Sequence, residues 1–329
     1  MRIGVFCSGG DAPGMNACLR SVVRSALSAG HEVVGIRRGY QGLLDEDSYV
    51  NPDGKPLMTL RSVSGISRYG GTMLHTSRSD EFRTEAGQKK AAAILCKHGI
   101  DALIPIGGDG TFRGAVALAQ HWDGRIIGCP GTIDNDLIGT DFTIGFATAV
   151  QTAVEAVDKL RDTAESHERM FLVEVMGRHS GYIALHTALA AGAEVACIPE
   201  TQTDVHRILD QLKILKARGK HSIMVIVAEG DEEGGAEKLN QDLCAIGCPF
   251  PTRVVILGHL QRGGSPVTGD RILSTRLGDF AVRSILGGRT GAMAGEFRGE
   301  LLLTPFPETY SAHKAVPPEL VALLETMAE

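Results

Sequence analysis

The chain has 329 residues, of which 43% are hydrophobic, and a formal net charge of −6. This length predicts a large core divided into two domains, and the acidic balance argues against nucleic acid or an anionic membrane as the main partner. No segment approaches the ~20 consecutive apolar residues of a membrane span, and the apolar start is too short for a signal peptide. Seven cysteines at scattered spacings are typical of reduced thiols, so we expect a cytoplasmic protein.

Short continuous apolar runs predict strands that are buried on both faces. They lie at residues 2–7, 32–36, 102–106, 125–129, 170–175, 194–198, 222–228, 253–258 and 301–304. Runs without polar alternation are typical of parallel strands that helices cover on both sides.

Segments with apolar residues three and four apart predict helices in the gaps between these strands. They are 15–30, 85–99, 148–163, 204–218, 236–245, 270–287 and 317–328. The alternation predicts an α/β doubly wound fold with mostly parallel sheets and helices on both faces. In such sheets ligands bind beyond the carboxyl ends of the strands.

Two glycine-rich turns follow predicted strands. "SGGDAPG" (8–14) brings backbone amides such as that of Gly10 close to an anion at a helix N-terminus. In "GGDGT" (107–111), Gly107, Gly108 and Gly110 leave room for a phosphate chain, Asp109 can hold Mg²⁺ through waters, and Thr111 can donate to a phosphate. The alternative is that each turn is only a structural βα turn, the second with Thr111 capping the next helix.

The segment "GTIDND" (131–136) offers Thr132, Asp134 and Asp136. In an extended segment the two aspartates point the same way. One then accepts a proton from a substrate hydroxyl while the other helps to position a metal. The alternative is a loop of Asx turns, since Asp and Asn favour turns.

Charged residues stand near the ends of other predicted strands. They are Arg169, Arg178 in "MGR" (176–178), Glu229, Arg253, and His259 and Arg262 in "GHLQRGG". Arginine binds phosphate through paired hydrogen bonds, and a glutamate can accept sugar hydroxyls. Each residue alone is more often a surface or packed residue, but together they indicate a phosphorylated polyol as substrate.

The motifs "SGGDAPGMN", "GGDGT", "PGTIDND", "IGF", "EVMGRHSG" and "GHLQRGGSP" occur in this order. In this the chain resembles the bacterial ATP-dependent 6-phosphofructokinase family over roughly residues 2–290. The resemblance implies transfer of the ATP γ-phosphoryl group to the 1-hydroxyl of fructose 6-phosphate, giving fructose 1,6-bisphosphate in glycolysis.

The resemblance also implies a role for each site residue. Asp134 is the base, with Thr132, Asp136 and Arg178 as its catalytic neighbours, and Asp109 binds Mg²⁺. The nucleotide site comprises Gly10, Tyr40, Arg78, Gly107, Gly108, Asp109, Gly110 and Thr111. The sugar phosphate is held by Thr132, Asp134, Arg169, Met176, Gly177, Arg178, Glu229, Arg253, His259 and Arg262.

The family's architecture implies two similar domains and a homotetramer. The expected nucleotide-binding domain is 1–139 with 252–305, and the expected sugar-phosphate and effector domain is 140–251 with 306–329. In the family, the arginines matching Arg169 and Arg253 come from a neighbouring subunit.

Glycine at positions 110 and 131 favours ATP as the phosphoryl donor. Pyrophosphate-using relatives carry aspartate and lysine at these places, where the side chains occupy space that a nucleotide needs. The resemblance also implies an ADP or phosphoenolpyruvate effector site at Arg20, Arg24, Arg161, Glu194, Arg218 and Lys220. Alternatively, Arg20 and Arg24 are solvated residues on the first helix.

Three other functions are compatible with part of the sequence. A pyrophosphate-dependent phosphofructokinase shares most of the motifs, and an NAD or lipid kinase shares "GGDGT" but leaves "PGTIDND", "MGR" and "GHLQRGG" unexplained. A non-catalytic nucleotide sensor predicts loss of the base, whereas Asp134 and Asp109 are both present.

Overall fold

The computed structural model describes residues 1–231 and 234–328. They form two compact units, each assembled from separate stretches of the chain. The first unit comprises 1–133, 137–147 and 262–313, and the second comprises 134–136, 148–261 and 314–329.

The first unit contains a mostly parallel sheet. Its strands are β1 (Arg2–Cys7), β2 (Glu32–Gly35), β3 (Ala102–Gly107), β4 (Arg125–Thr132), β5 (Ile144–Gly145), β10 (Ala292–Phe297) and β11 (Glu300–Pro305). The order is β11-β10-β4-β3-β1-β2, and the short β5 pairs with β4. Only the β10–β11 pair among these described strands is antiparallel.

Helices cover this sheet. They are α1 (Met15–Ser28), α2 (Gly39–Leu44), α3 (Glu85–Lys97), α4 (Asp109–Ala119), α9 (Thr268–Leu286) and α10 (Phe306–Thr309). The helix α3 begins where the Thr84 side chain accepts a hydrogen bond from the amide of Gly87 at 3.1 Å, which satisfies one of the free amides of the first turn. The rings of Phe112 and Phe306 stack at 5.1 Å and join α4 to α10 within the core.

The second unit contains a smaller parallel sheet. Its strands are β6 (Met170–Val175), β7 (Val195–Cys197), β8 (Ile223–Ala228) and β9 (Thr252–Ile256), in the order β7-β8-β6-β9. The helices are α6 (Tyr182–Ala191), α7 (Val205–Ala217), α8 (Gly235–Ala245) and α11 (Pro318–Ala328), together with most of α5 (Phe146–His167). Leu172, Val225 and Leu239 are fully buried in its core. The predicted fold class is therefore confirmed.

Sequence periodicity failed to predict several elements. The strands β5 and β10 and the helices α2, α4, α6 and α10 are absent from the predicted set. The helix α6 is apolar on every side, since seven of its ten residues are buried, so no amphipathic stripe marks it. The strand β10, "AMAGEF", has small residues in place of the β-branched ones that identify strands.

The two compact units divide the chain at other residues than the expected domains do. Residues 252–261 lie in the second unit, because β9 pairs with β6. Residues 306–313 lie in the first unit, where Phe306 packs on Phe112. In the described part of the chain, we find no helix with the length and apolar character needed to cross a membrane.

Candidate active site

In the first unit, the turns after β1 and β3 lie side by side at the carboxyl ends of the strands. The amide of Ser8 donates to the carbonyl of Ile106 at 3.0 Å, and the Thr111 hydroxyl donates to the carbonyl of Ser8 at 3.0 Å. Gly107 is the last residue of β3. Hydrogen bonds thus tie the two glycine-rich turns together at the carboxyl ends of the strands, where ligands bind in sheets of this kind.

The helix α4 begins within the second turn, at Asp109. Apart from its chain neighbours and the backbone of its own helix, no atom of the described residues lies within 4 Å of a Cβ built on Gly110, so this position faces open space. A Cβ on Gly108 would lie 3.5 Å from Thr132 at the end of β4. We call Gly10, Gly108, Asp109, Gly110 and Thr111 the glycine cradle; its backbone amides and helix N-terminus favour a bound anion.

Asp109 is the one carboxylate in the glycine cradle. Its side chain is 42% exposed, and Arg113, one helical turn later, donates to its Oδ1 at 2.5 Å. Among the described residues no group of three or more His, Cys, Asp or Glu side chains could hold a metal by itself. A single exposed carboxylate fits a Mg²⁺ ion that takes its other ligands from phosphates and water.

Tyr40 and Arg78 also lie in the first unit. Tyr40 is buried, its ring stacks on Phe82 at 3.9 Å, and its hydroxyl donates to the carbonyl of Thr111 at 2.8 Å. Burial raises the pKa of Tyr40, so the phenol stays protonated. Tyr40 therefore supports the glycine cradle from beneath, whereas Arg78 lies in the loop before α3.

Arg262, which the sequence grouped with the sugar-binding residues, lies in the first unit beside the first turn. It is 9% exposed and donates from Nη1 to the carbonyl of Asp11 at 3.0 Å. A Cβ on Gly10 would lie 2.6 Å from the same Nη1. The guanidinium thus packs closely against Gly10, and a side chain at position 10 would displace it.

In the second unit, Asp134 lies at a bend of the chain rather than in an extended strand. Its side chain is almost buried, whereas Asp136 is half-buried. Asn135 between them has φ 52°, in the left-handed region that Asn tolerates better than most residues. The prediction that both aspartates point the same way depended on an extended backbone, so that reasoning was wrong.

Arg178 faces Asp134. Its Nε lies 3.8 Å from Oδ2 of Asp134, and its side chain is 57% exposed while that of Asp134 is 6% exposed. The turn that presents Arg178 contains two residues with positive φ, Gly177 with φ 140° and Arg178 with φ 54°. At Gly177 a Cβ would also collide with the carbonyl of Ser180, so glycine is required there.

Glu229 fixes this turn from the carboxyl end of β8. Its Oε1 accepts hydrogen bonds from the amide of Arg178 at 2.9 Å and of Gly177 at 3.3 Å. The amide of Met176 donates to Gln261 at 2.8 Å. We call Asp134, Arg178 and Glu229 the charged cluster: the Asp134 carboxylate faces the Arg178 guanidinium, and Glu229 accepts the backbone amide of Arg178.

Arg169 and Arg253 lie near the amino-terminal ends of strands in the second sheet, whereas Arg178 and Glu229 follow the carboxyl ends of strands in that sheet. Arg169 precedes the first residue of β6, and Arg253 is the second residue of β9, paired in register with Phe171. At ~3.3 Å per residue, a strand the length of β6 separates them from the charged cluster by well over 10 Å. His259 is exposed in a short helical turn after β9.

The residues of the expected effector site fall into two groups. In the second unit, the buried carboxylate of Glu194 pairs with Lys220, lies 4.0 Å from Arg161 Nη1, and accepts the amide of Met224 at 2.8 Å. Arg218 follows directly after α7. Arg20 and Arg24 lie on α1 in the first unit.

Sequence reasoning missed three residues that hold the site residues in place. The Ser180 hydroxyl donates to the carbonyl of Asp134 at 2.8 Å, Gln261 accepts the amide of Met176, and Arg113 pairs with Asp109. Two of them stand inside quoted motifs, "EVMGRHSG" and "GHLQRGG". Only the spacing of Arg113 four residues after Asp109 could have revealed an interaction in advance.

A family model for phosphofructokinase matches residues 2–285. The chain belongs to the phosphofructokinase family. Among curated phosphofructokinases, it is 52% identical to the "ATP-dependent 6-phosphofructokinase 1" of Thermus thermophilus, over 99% of each chain. It is 45% identical to the ATP-dependent 6-phosphofructokinase of Cytophaga hutchinsonii, over 99% of this chain and 97% of that one.

Solved phosphofructokinase structures have the same fold. The structure of phosphofructokinase from Saccharomyces cerevisiae superposes with a TM-score of 0.85 and 35% identity. The match covers 99% of this chain and 48% of the yeast chain, so this phosphofructokinase spans about half the length of that relative.

Proposed function

We propose that this chain transfers the γ-phosphoryl group of ATP to the 1-hydroxyl of fructose 6-phosphate, giving fructose 1,6-bisphosphate and ADP in glycolysis. The observation that carries the proposal is the nearly buried Asp134 carboxylate with the exposed Arg178 guanidinium 3.8 Å away. A base and a phosphate-binding cation then stand side by side. The curated relatives at 52% and 45% identity carry this activity in their names.

In the proposed reaction, Asp134 takes the proton of the 1-hydroxyl as the oxygen attacks the γ-phosphorus. The bond between that oxygen and phosphorus forms, the bond from phosphorus to the β–γ bridging oxygen breaks, and ADP leaves with that oxygen. Arg178 stabilises negative charge on the transferred group, because a guanidinium forms charge-assisted hydrogen bonds with phosphoryl oxygens. Thr132 and Asp136 are the proposed catalytic neighbours of Asp134.

We propose that the glycine cradle, with Gly107 and Arg78, binds the nucleotide. Tyr40 acts by supporting Thr111 rather than by touching the ligand, which its burial supports. Asp109 would hold Mg²⁺, and the ion would neutralise charge on the phosphates. The exposure of Asp109 on the first turn of α4 supports this role.

We propose that the sugar phosphate binds at the charged cluster with Met176, Gly177, His259 and Arg262. Arg169 and Arg253 would serve the site of a neighbouring subunit in a homotetramer. Arg169 and Arg253 lie near the amino-terminal ends of strands, whereas Arg178 and Glu229 follow the carboxyl ends. This supports the proposal, since residues at the two ends of the same strands are too far apart to contact one small sugar.

ATP is the proposed donor rather than pyrophosphate. Gly110 borders open space, which leaves room for a nucleotide. Gly131, in contrast, does not border open space. A Cβ there would lie 2.8 Å from Cε of Met15 and 3.1 Å from Ile106. The space at Gly131 is therefore filled by the protein itself, so a lysine would require repacking.

Two further proposals concern regulation and location. The position of Arg161 and Lys220 beside the buried Glu194 carboxylate supports an effector site for ADP or phosphoenolpyruvate, to which Arg218, Arg20 and Arg24 would contribute. Seven free cysteines, four of them buried, support residence in the reducing cytoplasm.

The experiment that tests the function compares donors directly. The formation of fructose 1,6-bisphosphate from fructose 6-phosphate is followed through aldolase, with ATP or pyrophosphate at equal concentration and Mg²⁺ present. We expect product with ATP and at most a trace with pyrophosphate. Product with pyrophosphate alone would overturn the donor assignment, and no product with either donor would overturn the proposed function.

A further inference from the structure

Lys314 lies outside the phosphofructokinase motifs of the sequence, and it reaches the segment that carries the proposed base, Asp134. Its ammonium donates to the side-chain oxygen of Asn135 at 3.1 Å. Asn135 stands between Asp134 and Asp136 and is completely buried. All of these residues belong to the second unit. A residue about 180 positions away in the sequence is therefore joined to the centre of the "TIDND" motif.

The position of Lys314 is fixed by α6. Its Nζ lies 5.0 Å from the centroid of the Tyr182 ring, a distance at which a cation is attracted to an aromatic face. The Tyr182 hydroxyl donates to the carbonyl of the next residue, Ala315, at 2.8 Å. Tyr182 thus holds both the backbone and the ammonium, and the lysine gives up much of its side-chain freedom.

Asn135 is the residue whose conformation the segment most needs to keep. Its φ of 52° is a left-handed conformation that costs energy for a residue with a side chain. On one side of it, the Ser180 hydroxyl binds the carbonyl of Asp134. The bond from Lys314 holds Asn135 itself. The loop is therefore fastened at two successive residues, from the turn before α6 and from the C-terminal segment.

We infer that Lys314 is a positioning residue, which keeps Asp134 facing Arg178 through its hydrogen bond to Asn135. The inference rests on the proposed function, in which Asp134 is the base. Lys314 is not proposed to touch the substrate or the reacting atoms. Its effect passes through one buried side chain, and a double-mutant cycle can isolate such a pair.

The test measures kcat and both KM values in Lys314→Met, Asn135→Gly and the double variant. Glycine keeps the left-handed conformation without the side chain. We expect each single variant to lower kcat on the order of 10- to 100-fold, as small misplacements of a catalytic group do, with KM for ATP unchanged. In the Asn135→Gly background, Lys314→Met should lower kcat by less than about twofold further. Lys314→Arg should recover part of the loss.

The matched control is Glu325→Gln, which breaks the 2.8 Å ion pair between Arg207 and Glu325. That pair also ties α11 to the rest of the second unit, but it involves neither Asn135 nor Lys314, so kcat should stay at the wild-type value. A loss of kcat in Glu325→Gln equal to that in Lys314→Met would overturn the inference, because it would show that docking of α11 alone sets activity.

The remaining outcomes separate the inference from the function on which it rests. Unchanged kcat in Lys314→Met, or equal losses in both backgrounds, would overturn the inference alone. A wild-type protein that does not phosphorylate fructose 6-phosphate would overturn the proposed function and this inference with it. If Lys314→Met fails to fold, Asn135→Gly decides the matter, since it removes the same hydrogen bond and must lower kcat by the stated factor.

Discussion

The glycine cradle of the first unit and the charged cluster of the second present different chemical groups. The cradle presents backbone amides, glycines and one exposed carboxylate. The cluster presents charged side chains, held by hydrogen bonds to strained turns. The difference teaches that a chain of phosphates can be bound by backbone amides and a helix N-terminus. A reacting hydroxyl, in contrast, needs charged side chains at defined positions.

Removal of the base should have the largest effect and tests whether chemistry lies in the charged cluster. We expect Asp134→Ser to lower kcat by on the order of 10²- to 10⁴-fold, the usual contribution of a general base. KM for ATP should barely change, since ATP is assigned to the other region. Stopped-assay turnover would measure this, with Asp210→Ser, an exposed carboxylate on α7, as the control. An equal loss in both variants would contradict the assignment.

Substitution of Arg178 should have the next largest effect. Arg178→Lys keeps the charge but loses the planar guanidinium, and a charge-assisted hydrogen bond contributes about 1.5–3 kcal/mol. We expect kcat/KM for fructose 6-phosphate to fall by roughly 10- to 100-fold. Initial rates at varied sugar concentration would measure it. Arg207→Lys, an exposed arginine on α7, should leave both constants unchanged, and a larger change in KM for ATP than for the sugar would contradict the comparison.

Substitution by alanine should affect the free energy of unfolding differently at Gly131 and at Gly110. Gly131→Ala should lower the free energy of unfolding by about 1–3 kcal/mol, because its Cβ would overlap Met15 in a packed core. Gly110→Ala should leave it unchanged or raise it by up to about 1 kcal/mol, because its Cβ enters open space within a helix. Urea denaturation of both variants would measure this, and a comparable loss in Gly110→Ala would show that the cradle is filled by protein.

The smallest effect should come from Arg113. Its pair with Asp109 is exposed, and such pairs contribute about 0–1 kcal/mol. We expect Arg113→Met to change stability within that range and to shift the Mg²⁺ dependence of the rate less than about fivefold. Titration of the initial rate with Mg²⁺ would measure it. A complete loss of activity would mean that Arg113 itself binds the nucleotide.

The sequence was sufficient to predict most of the strands and the parallel sheets, because buried apolar runs and glycine turns leave clear patterns. It could not predict the backbone at Asn135 or Arg178, since left-handed conformations there depend on contacts with distant residues such as Ser180 and Glu229. Tyr40 shows the same limit: the sequence could not predict that its ring stacks on Phe82 or that its hydroxyl donates to the carbonyl of Thr111.

The location of Arg262 was equally beyond the sequence. The motif "GHLQRGG" is continuous in sequence, but its residues belong to both compact units. Gln261 accepts the amide of Met176 in the second unit, while Arg262 packs on Gly10 in the first. Adjacent residues divide between two cores because the chain leaves the second unit at this point. The sequence motif therefore could not predict that Gln261 and Arg262 belong to different compact units.

The pairing of β10 with β4 has a consequence for synthesis of the chain. When β4 has just been synthesised, more than half of the 329 residues are still untranslated, and the residues of β4 that pair with β10 lack that partner until it is made some 160 residues later. Strands of the second unit, which lie close together in sequence, can pair meanwhile. Unpaired edges invite aggregation, so the nascent protein should depend on chaperone protection until β10 emerges.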